Sequence, residues 1–425
     1  MGATDLSRLG RREFLKNGLV FGAGAAGLAA GYAAVPDVFA RAVYAGKKDG
    51  VMNDRVLVMI QLAGGADGLQ TVIPLQSGAL RNLRPTLSRA ADNALPLDAN
   101  FGFNRSMRGL KALFDQGKVA VVQGVGYPKP NFSHFDSIRI WETGDPNRKQ
   151  QDGWLGKTIA ANYDSQGHPL VGCACGTSEV PGALRDLQAT LSVVNGQNTF
   201  RFNGNDTERA MGVIYNGTPG IYGALFDTSV FSARDTIARL RTARDRYTPK
   251  AQYNDNVNLV YSSRNQLAQA LQLAAQLIVS GVGAKILHVT LGGFDTHDQE
   301  FARHESLMGY VDSAVSAFHA DLTAYGMGDR VLIATWSEFG RRAQETGNAG
   351  TDHGTAAPMF LIGDTVKGGF YGEAPNLARL DRGGNLQYTV DFRSVYQEIL
   401  ESHMKVDARE VLGEGFERIA AVKTA

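Results

Sequence analysis

The sequence predicts an α/β fold built on a mostly parallel sheet. Three observations support this class: short apolar runs without polar alternation, longer segments with apolar residues at steps of three and four, and the succession of the two along the chain. Strands of a parallel sheet are covered on both faces, and they therefore lack the polar alternation of strands that face water. The 425 residues are enough for one large domain or two ordinary ones.

The first 45 residues have the pattern of a signal peptide for export. Paired arginines, Arg11 and Arg12, precede a mildly apolar run rich in glycine and alanine from Gly18 to Val35. This order is typical of a twin-arginine signal, and small-residue cleavage sites end at Ala40 and Ala45. A membrane anchor is the competing interpretation, but 18 residues with five glycines form a short and weak span.

Removal of that segment leaves residues 46–425, which we expect to form a single soluble domain in the periplasm or outside the cell. The twin-arginine translocase is the partner expected during export. The whole chain has 43 basic and 42 acidic residues, and this net charge of +1 gives no sign of a nucleic-acid partner. Cys173 and Cys175 are separated by one residue, a spacing that rarely meets disulfide geometry, so we interpret them as small apolar side chains of a buried strand.

The domain begins with a predicted strand, a helix and a second strand. Arg55 to Leu62 is an apolar strand that leads into a glycine-rich turn carrying Asp67. Met107 to Phe114 has apolar residues at helical spacing, and Val119 to Val122 is typical of a buried strand. Strand, helix and strand in this order indicate a parallel βαβ unit.

The segment after the second strand contains three candidate catalytic residues, Ser133, His134 and Ser137. Ser133 or Asp136 is placed to cap a helix here. A hydroxyl at a helix start lies where backbone N–H groups and the helix dipole favour an anion. The alternative is a capped structural helix with a solvated His134.

Residues 176–256 lack regular apolar periodicity, and we interpret them as an irregular elaboration on one edge of the domain. Helical spacing returns from Val257 to Ser280. The strand predicted over Lys285 to Leu291 then ends in a glycine turn that carries Asp295 and His297.

An amphipathic helix is predicted over Phe301 to Tyr325. Two short apolar strands follow, Val331 to Thr335 and Met359 to Ile362. Between these strands we expect a glycine-flanked loop that carries the adjacent pair Asp352 and His353, which is where an α/β protein places ligands or catalytic groups.

Three acids, Asp67, Asp295 and Asp352, each follow a buried strand at a glycine-marked turn, and His297 and His353 lie beside two of them. Because the carboxyl ends of parallel strands share one edge of the sheet, we expect all five side chains to converge there. A shared metal ion would explain why carboxylates cluster in spite of their mutual repulsion. Mixed carboxylate and imidazole ligands suit zinc, manganese or iron better than magnesium or calcium.

Three other polar residues have either a role in the predicted site or a purely structural role. Glu338 and Arg341 are an outer-shell partner and an anion clamp of the predicted site, or they form a surface ion pair. His304 lies on the apolar face of the helix predicted over Phe301 to Tyr325, where a satisfied core histidine is the more common case.

Taken together, the motifs resemble the bacterial domain-of-unknown-function family 1501 over nearly the whole chain. The motifs are the twin-arginine start, Gly64-Gly65-Ala66-Asp67-Gly68, Ser133-His134-Phe135-Asp136-Ser137, Trp141-Glu142-Thr143-Gly144, Gly293-Phe294-Asp295-Thr296-His297, Ser337-Glu338-Phe339-Gly340-Arg341-Arg342 and Gly350-Thr351-Asp352-His353-Gly354. That family is grouped with the alkaline phosphatase and sulfatase superfamily. The resemblance implies an alkaline-phosphatase-like, three-layer α/β/α sandwich with metal ions at the carboxyl ends of the strands.

The resemblance also implies roles for single residues. It assigns metal binding to Asp67, Asp295, His297, Asp352 and His353. Thr143-Gly144 resembles the end of the superfamily's nucleophile helix, and counting back by the usual spacing leads to His134 rather than to a hydroxyl. The superfamily's last histidine has no matching motif, since only His403 is near the C-terminus. The implied site therefore holds one metal ion, uses His134 or His304 instead, or is inactive.

Two functions are consistent with these observations. The first is an exported hydrolase of phosphate or sulfate esters that depends on a divalent metal, zinc or manganese, and acts on a small anionic ester. The second is a catalytically inactive periplasmic binding or assembly protein on the same fold. The retained acids and histidines favour the first, and the missing C-terminal histidine favours the second.

Overall fold

The structure, a computed structural model, describes residues 54–165, 168–196, 236–253 and 265–423. The predicted signal peptide, residues 1–45, lies outside these ranges, and so does much of the irregular segment 176–256. Within the described ranges, no helix is long and apolar enough to cross a membrane.

A nine-stranded, mostly parallel sheet forms the centre of the domain. The strands of the chain are β1 (Val56–Leu62), β2 (Val72–Pro74), β3 (Leu95–Pro96), β4 (Phe101–Phe103), β5 (Val119–Gly126), β6 (Gly172–Cys175), β7 (Ser192–Val194), β8 (Ile286–Leu291), β9 (Val331–Trp336), β10 (Arg341–Glu345), β11 (Thr351–His353), β12 (Ala357–Ile362), β13 (Gly369–Tyr371) and β14 (Val390–Asp391). The central order is β13-β5-β12-β9-β1-β8-β6-β7, and β14 also pairs with β5. Among the described strands of this sheet, β12 alone runs antiparallel to its neighbours.

Helices cover both faces of this sheet. They are α1 (Gly68–Thr71), α2 (Gly78–Leu83), α3 (Arg108–Asp115), α4 (His134–Thr143), α5 (Trp154–Asn162), α6 (236–246), α7 (Gln266–Val279), α8 (Glu300–Ala324), α9 (Phe392–Glu398) and α10 (Ala408–Leu412), with a π-helical segment (Ile399–Met404) after α9. Side chains of α3, α7 and α8 belong to one apolar core, and those of α4, α5 and α9 belong to the other. The predicted three-layer α/β/α class with a mostly parallel sheet is therefore confirmed.

Strand β1 shows why the predicted strands lack polar alternation. All seven of its residues are buried. Val58 and Ile60 point into one core, while Leu57 and Met59 point into the other. Burial of each such side chain contributes about 1.5–3 kcal/mol, so β1 is held from both faces. The strand around Cys173 and Cys175 is likewise buried, and both cysteines are free thiols.

Two local predictions need correction. The first βαβ unit does place β5 parallel to β1, but β9 and β12 lie between them, because an equally apolar later strand pairs with β1. The pair Asp352 and His353 does not lie in a loop, since β11 forms an antiparallel hairpin with β10 in which Arg341 pairs with His353. The glycines of this segment form the turn of that hairpin rather than an open loop.

Candidate metal centre

Several connections bring polar side chains to one edge of the central sheet. They follow the carboxyl ends of β1, β5, β8 and β9, and the β10–β11 hairpin leads into the start of the antiparallel β12. The residues that these connections carry are Asp67, Ser133, His134, Asp295, His297, Glu338, Arg341, Asp352 and His353. The edge rule for parallel sheets therefore holds for the backbone of every segment that we singled out.

Two glycines let these connections pack closely. Gly64 has a φ of +121°, and a Cβ there would collide with the backbone nitrogen of Asp295. A Cβ at Gly350 would collide with the backbone carbonyl of His297. Any side chain at these positions would push the connections apart, so the glycines of the motifs set the spacing of the site.

Three imidazole rings approach one carboxylate oxygen, Oδ1 of Asp295. The Nε2 atom of His297 lies 3.0 Å from it, that of His353 lies 3.1 Å from it, and that of His134 lies 3.5 Å from it. The Nε2 atoms of His297 and His353 are 3.0 Å apart. The Nε2 atoms of His297 and His353 and Oδ1 of Asp295 therefore lie about 3 Å from one another, and Nε2 of His134 lies next to the same oxygen.

Each of these rings has an acceptor at its other nitrogen. Nδ1 of His134 lies 2.7 Å from Oε1 of Glu338, and Nδ1 of His353 lies 2.8 Å from the backbone oxygen of Phe132. Nδ1 of His297 lies 3.4 Å from Oδ1 of Asp352. An acceptor at each Nδ1 can take the proton of that nitrogen, and each Nε2 would then present its lone pair to a cation beside Asp295.

This arrangement fits a metal ion. Tetrahedral bonds of about 2.0–2.1 Å place ligand atoms about 3.3–3.4 Å apart, close to the spacings observed. The candidate ligand atoms of His134, Asp295 and His353 all lie within 4.8 Å of one another. Nε2 of His134 is buried, and among the described residues it has no hydrogen-bond partner. Three imidazoles with one carboxylate suit zinc, although other divalent ions accept such ligands.

The centre is open to solvent on one side. The side chain of Asp295 is 48% exposed and that of His297 is 44% exposed, whereas that of Glu338 is fully buried. A structural zinc site is shielded by the protein, while a catalytic site leaves a position that water or substrate can reach. The exposure of Asp295 and His297 favours the second kind.

Arg341 connects the backbone segments that carry the residues of this site. Its guanidinium is buried and donates to the backbone oxygens of Gly64, Gly65, Phe294 and Thr351. It also donates to Oδ1 of Asp295 at 2.8 Å. Partial burial would raise the pKa of Asp295, but the hydrogen bond and the positive charge of Arg341 outweigh it and lower that pKa to about 2. Asp295 is therefore ionised at any ordinary pH, and Arg341 is not a surface ion pair.

Asp67 has different partners from those of the other predicted ligands. Its carboxylate is buried, accepts from the backbone N–H of Leu69 and forms an ion pair with the buried guanidinium of Arg84. Burial would raise the pKa of Asp67, but Arg84 outweighs it and holds that pKa well below the usual value of 3.8. Both oxygens of Asp67 thus have partners apart from the imidazole cluster.

The predicted catalytic hydroxyls differ in their surroundings. Ser137 is buried, and its hydroxyl donates to the backbone oxygen of Glu338 at 2.5 Å and lies 2.7 Å from the hydroxyl of Tyr127. Ser133 is the exposed N-cap residue of α4, and in the described part of the chain its side chain makes no capping hydrogen bond. Ser133 is thus the accessible hydroxyl, directly before His134.

Two other histidines are not part of this cluster. His304 is buried, with Nε2 2.9 Å from the hydroxyl of Thr71. His403 is buried in the π-helical segment, and its Nε2 donates to the backbone oxygen of Val56, at the start of β1 and so at the opposite edge of the sheet. His403 therefore cannot supply the missing ligand of the implied superfamily site.

Sequence reasoning missed two features of the site. Glu338 has two interpretations in the sequence, although its position directly after β9 follows the same edge rule as the other candidates and favours the role in the site. Arg84 has no signal in the sequence, because it lies between α2 and a short 3₁₀ helix in a stretch with no motif.

Comparisons with known proteins gave a family and a set of similar structures. The model of a family described as Protein of unknown function (DUF1501) matches residues 54–414. A solved protein in the alkaline phosphatase superfamily from Vibrio parahaemolyticus is similar with a TM-score of 0.34 and 10% identity, covering 78% of this chain and 69% of that chain. The lipoteichoic acid synthase from Listeria monocytogenes has a TM-score of 0.34 and 9% identity over 91% of this chain and 80% of that chain. The alkaline phosphatase from the Antarctic bacterium TAB5 has a TM-score of 0.31 and 10% identity over 73% of this chain and 91% of that chain. A comparison with curated proteins gave no match.

Proposed function

We propose that this chain, which belongs to the DUF1501 family of proteins of unknown function, is an exported metal-dependent hydrolase of phosphate or sulfate esters. The observation that supports this most is the convergence of three Nε2 atoms on Asp295, each with an acceptor behind its Nδ1. If the three Nδ1 atoms donate to their acceptors, three lone pairs face the carboxylate of Asp295, an arrangement that a bound cation would stabilise. Export rests on the paired Arg11 and Arg12 and the run after them.

In this proposal His134, His297, His353 and Asp295 would hold one divalent metal ion, and the exposed side at Asp295 and His297 would admit water or substrate as a further ligand. Such an ion would polarise the ester group and lower the pKa of a bound nucleophile. The chain's own residues prepare the ligands: the partners of each Nδ1 fix the orientation and tautomer of the imidazoles. Arg341 keeps Asp295 ionised and holds its connection in place.

The start of α4 favours an anionic substrate beside the metal ligands. His134 is the first residue of this ten-residue helix, and in the described structure Ser133 does not cap it with its side chain. First-turn N–H groups and the helix dipole therefore remain available to the oxygens of a phosphate or sulfate. Because the proposed metal ligand His134 is at this helix start, the metal ion and the substrate anion would bind next to each other.

We assign Ser133 as the nucleophile because its hydroxyl is accessible and that of Ser137 is committed to Glu338 and Tyr127. The oxygen of Ser133 forms a bond to phosphorus or sulfur as the bond to the alcohol oxygen breaks, and the hydroxyl proton passes through water to that departing alcohol oxygen. Water then cleaves the enzyme ester and regenerates the hydroxyl.

A non-catalytic binding protein is the second candidate. The burial of the Ser137 hydroxyl and the position of His403 at the opposite edge favour it, since two groups that a catalytic site could have used are unavailable. In that case the metal centre would bind an anionic ligand without turning it over.

The test is hydrolysis of an aryl phosphate and an aryl sulfate by the mature chain loaded with zinc or manganese. We expect metal-dependent turnover of at least one ester that is lost in D295N and H353A. The matched control is H319A, because His319 pairs with Asp364 and is not part of the cluster. Full metal occupancy without turnover of either ester would refute the hydrolase and leave the binding protein.

A further inference from the structure

A second group of polar side chains is buried directly beside the candidate centre. It consists of Asp67, Arg84, Glu300 and His304, and none of them is more than 1% exposed. Thr351 joins the two groups, because its hydroxyl donates to Oε2 of Glu300 at 2.5 Å while its backbone oxygen accepts from Arg341. Charged groups buried this completely must compensate one another.

The guanidinium of Arg84 is fixed on all sides. Its Nε donates to the backbone oxygen of Ala343 at 2.9 Å, and its Nη2 donates to that of Arg342 at 2.6 Å. Its Nη1 pairs with Oδ2 of Asp67. The two carbonyls come from β10, so Arg84 connects the hairpin that carries His353 to the connection that carries Asp67.

The groups around this cation have the donor chemistry of a metal site. Thr71 donates its hydroxyl proton to the backbone oxygen of Asp67 and so accepts from Nε2–H of His304, which leaves Nδ1 of His304 with a lone pair. Among the described residues, that Nδ1 and Oε1 of Glu300 have no donor. The cluster thus contains groups that could bind a metal ion: a carboxylate, a carboxyl group and an imidazole nitrogen. Its cation, however, is the guanidinium of Arg84.

The charges of the cluster balance with one cation. Burial, and next the charge of Asp67, raise the pKa of Glu300 well above its usual value, which favours its neutral, protonated form beside the charged Asp67. Burial lowers the pKa of His304 to about 4, so this ring is neutral. The single charge of Asp67 is then matched by the single charge of Arg84, and a divalent ion would leave an excess positive charge.

We infer that the guanidinium of Arg84 stands in place of a second metal ion beside Asp67, so that this chain binds one metal ion and not two. The inference rests on the proposed metal centre and adds its stoichiometry and the role of Asp67. Asp67 is then a positioning residue that orders the connection after β1, and it does not touch the metal.

The experiment counts zinc in the purified mature chain after equilibration with excess zinc and removal of free ions, and it measures the dissociation constant against a chromogenic chelator. We expect about one zinc per chain in the wild type and also in the double variant D67N/R84Q, whose neutral side chains avoid an unpaired buried charge. Loss of an outer-shell partner lowers metal affinity by about 10-fold or more. The zinc affinity of the double variant should change by less than this, whereas the zinc affinity of D295N should fall by more than about 100-fold.

Two zinc ions per wild-type chain would overturn the inference and leave the proposed centre intact. Loss of the zinc in D67N/R84Q, with circular dichroism showing a folded protein, would overturn it as well, because Asp67 would then be a ligand. No zinc in the wild type would refute the proposed centre itself. If the double variant does not fold, the wild-type count decides between one ion and two.

Discussion

Replacing Glu338 by glutamine removes the negative charge beside Nδ1 of His134 and keeps the size of the side chain almost unchanged. Oε1 of Glu338 accepts from Nδ1 of His134 at 2.7 Å and from the N–H of Gly64 at 2.9 Å. Glutamine keeps an acceptor oxygen in this place but removes the charge that makes His134 a better electron donor. We expect zinc affinity to fall by about 10-fold, or about 1.4 kcal/mol. E338A also removes the acceptor and should cost about 100-fold, or about 2.7 kcal/mol.

The assay is a zinc titration against a chromogenic chelator, with circular dichroism to show that each variant is folded. The matched control is E345Q, because Glu345 also accepts from backbone N–H groups, those of Thr86 and Leu87, but at the far end of β10 from His353. E345Q should bind zinc like the wild type. Wild-type affinity in a folded E338A, or an equal loss in E345Q, would refute the outer-shell role of Glu338.

Three further predictions follow from single residues. S133A should lower ester hydrolysis by about 100-fold or more, whereas S137A should mainly lower the free energy of unfolding, by about 1–3 kcal/mol, which steady-state kinetics and urea denaturation distinguish. The folded-state pKa of Asp67 lies below its usual value of 3.8. Its contribution to the free energy of unfolding is therefore complete above about pH 5 and is lost as the pH falls below about 4. D67N should flatten that part of the pH dependence of unfolding, and an unchanged slope would contradict this prediction. Lysine at both Arg11 and Arg12 should keep the precursor in the cytoplasm on cell fractionation, and normal export of that variant would exclude a twin-arginine signal.

The parts of the structure that could be predicted depend on local rules. Apolar runs without alternation identified β1, β8, β9 and β12, because strands covered on both faces have no polar face. The edge rule then brought Asp295, His297, Asp352 and His353 to one place from segments far apart in sequence. These predictions needed only the type of each element and its order.

The remaining parts depend on partners that sequence order does not reveal. Asp67 follows its strand as predicted, but which way its side chain turns depends on Arg84, which arrives from a stretch without a motif. The proposed role of His134 as a ligand depends on Glu338 and on the contact of α4 with the residues after β9 through the Ser137 hydroxyl. Such tertiary contacts are set by packing, and no local spacing encodes them.

A crystal structure of the zinc-loaded chain, with anomalous diffraction recorded at the zinc edge, tests the central claim most directly. We predict one anomalous peak at the carboxyl edge of the sheet. Nε2 of His134, His297 and His353 and Oδ1 of Asp295 should lie within about 2.0–2.2 Å of it. No peak at this edge, or a peak coordinated by Asp67 instead of by these imidazoles, would contradict the account.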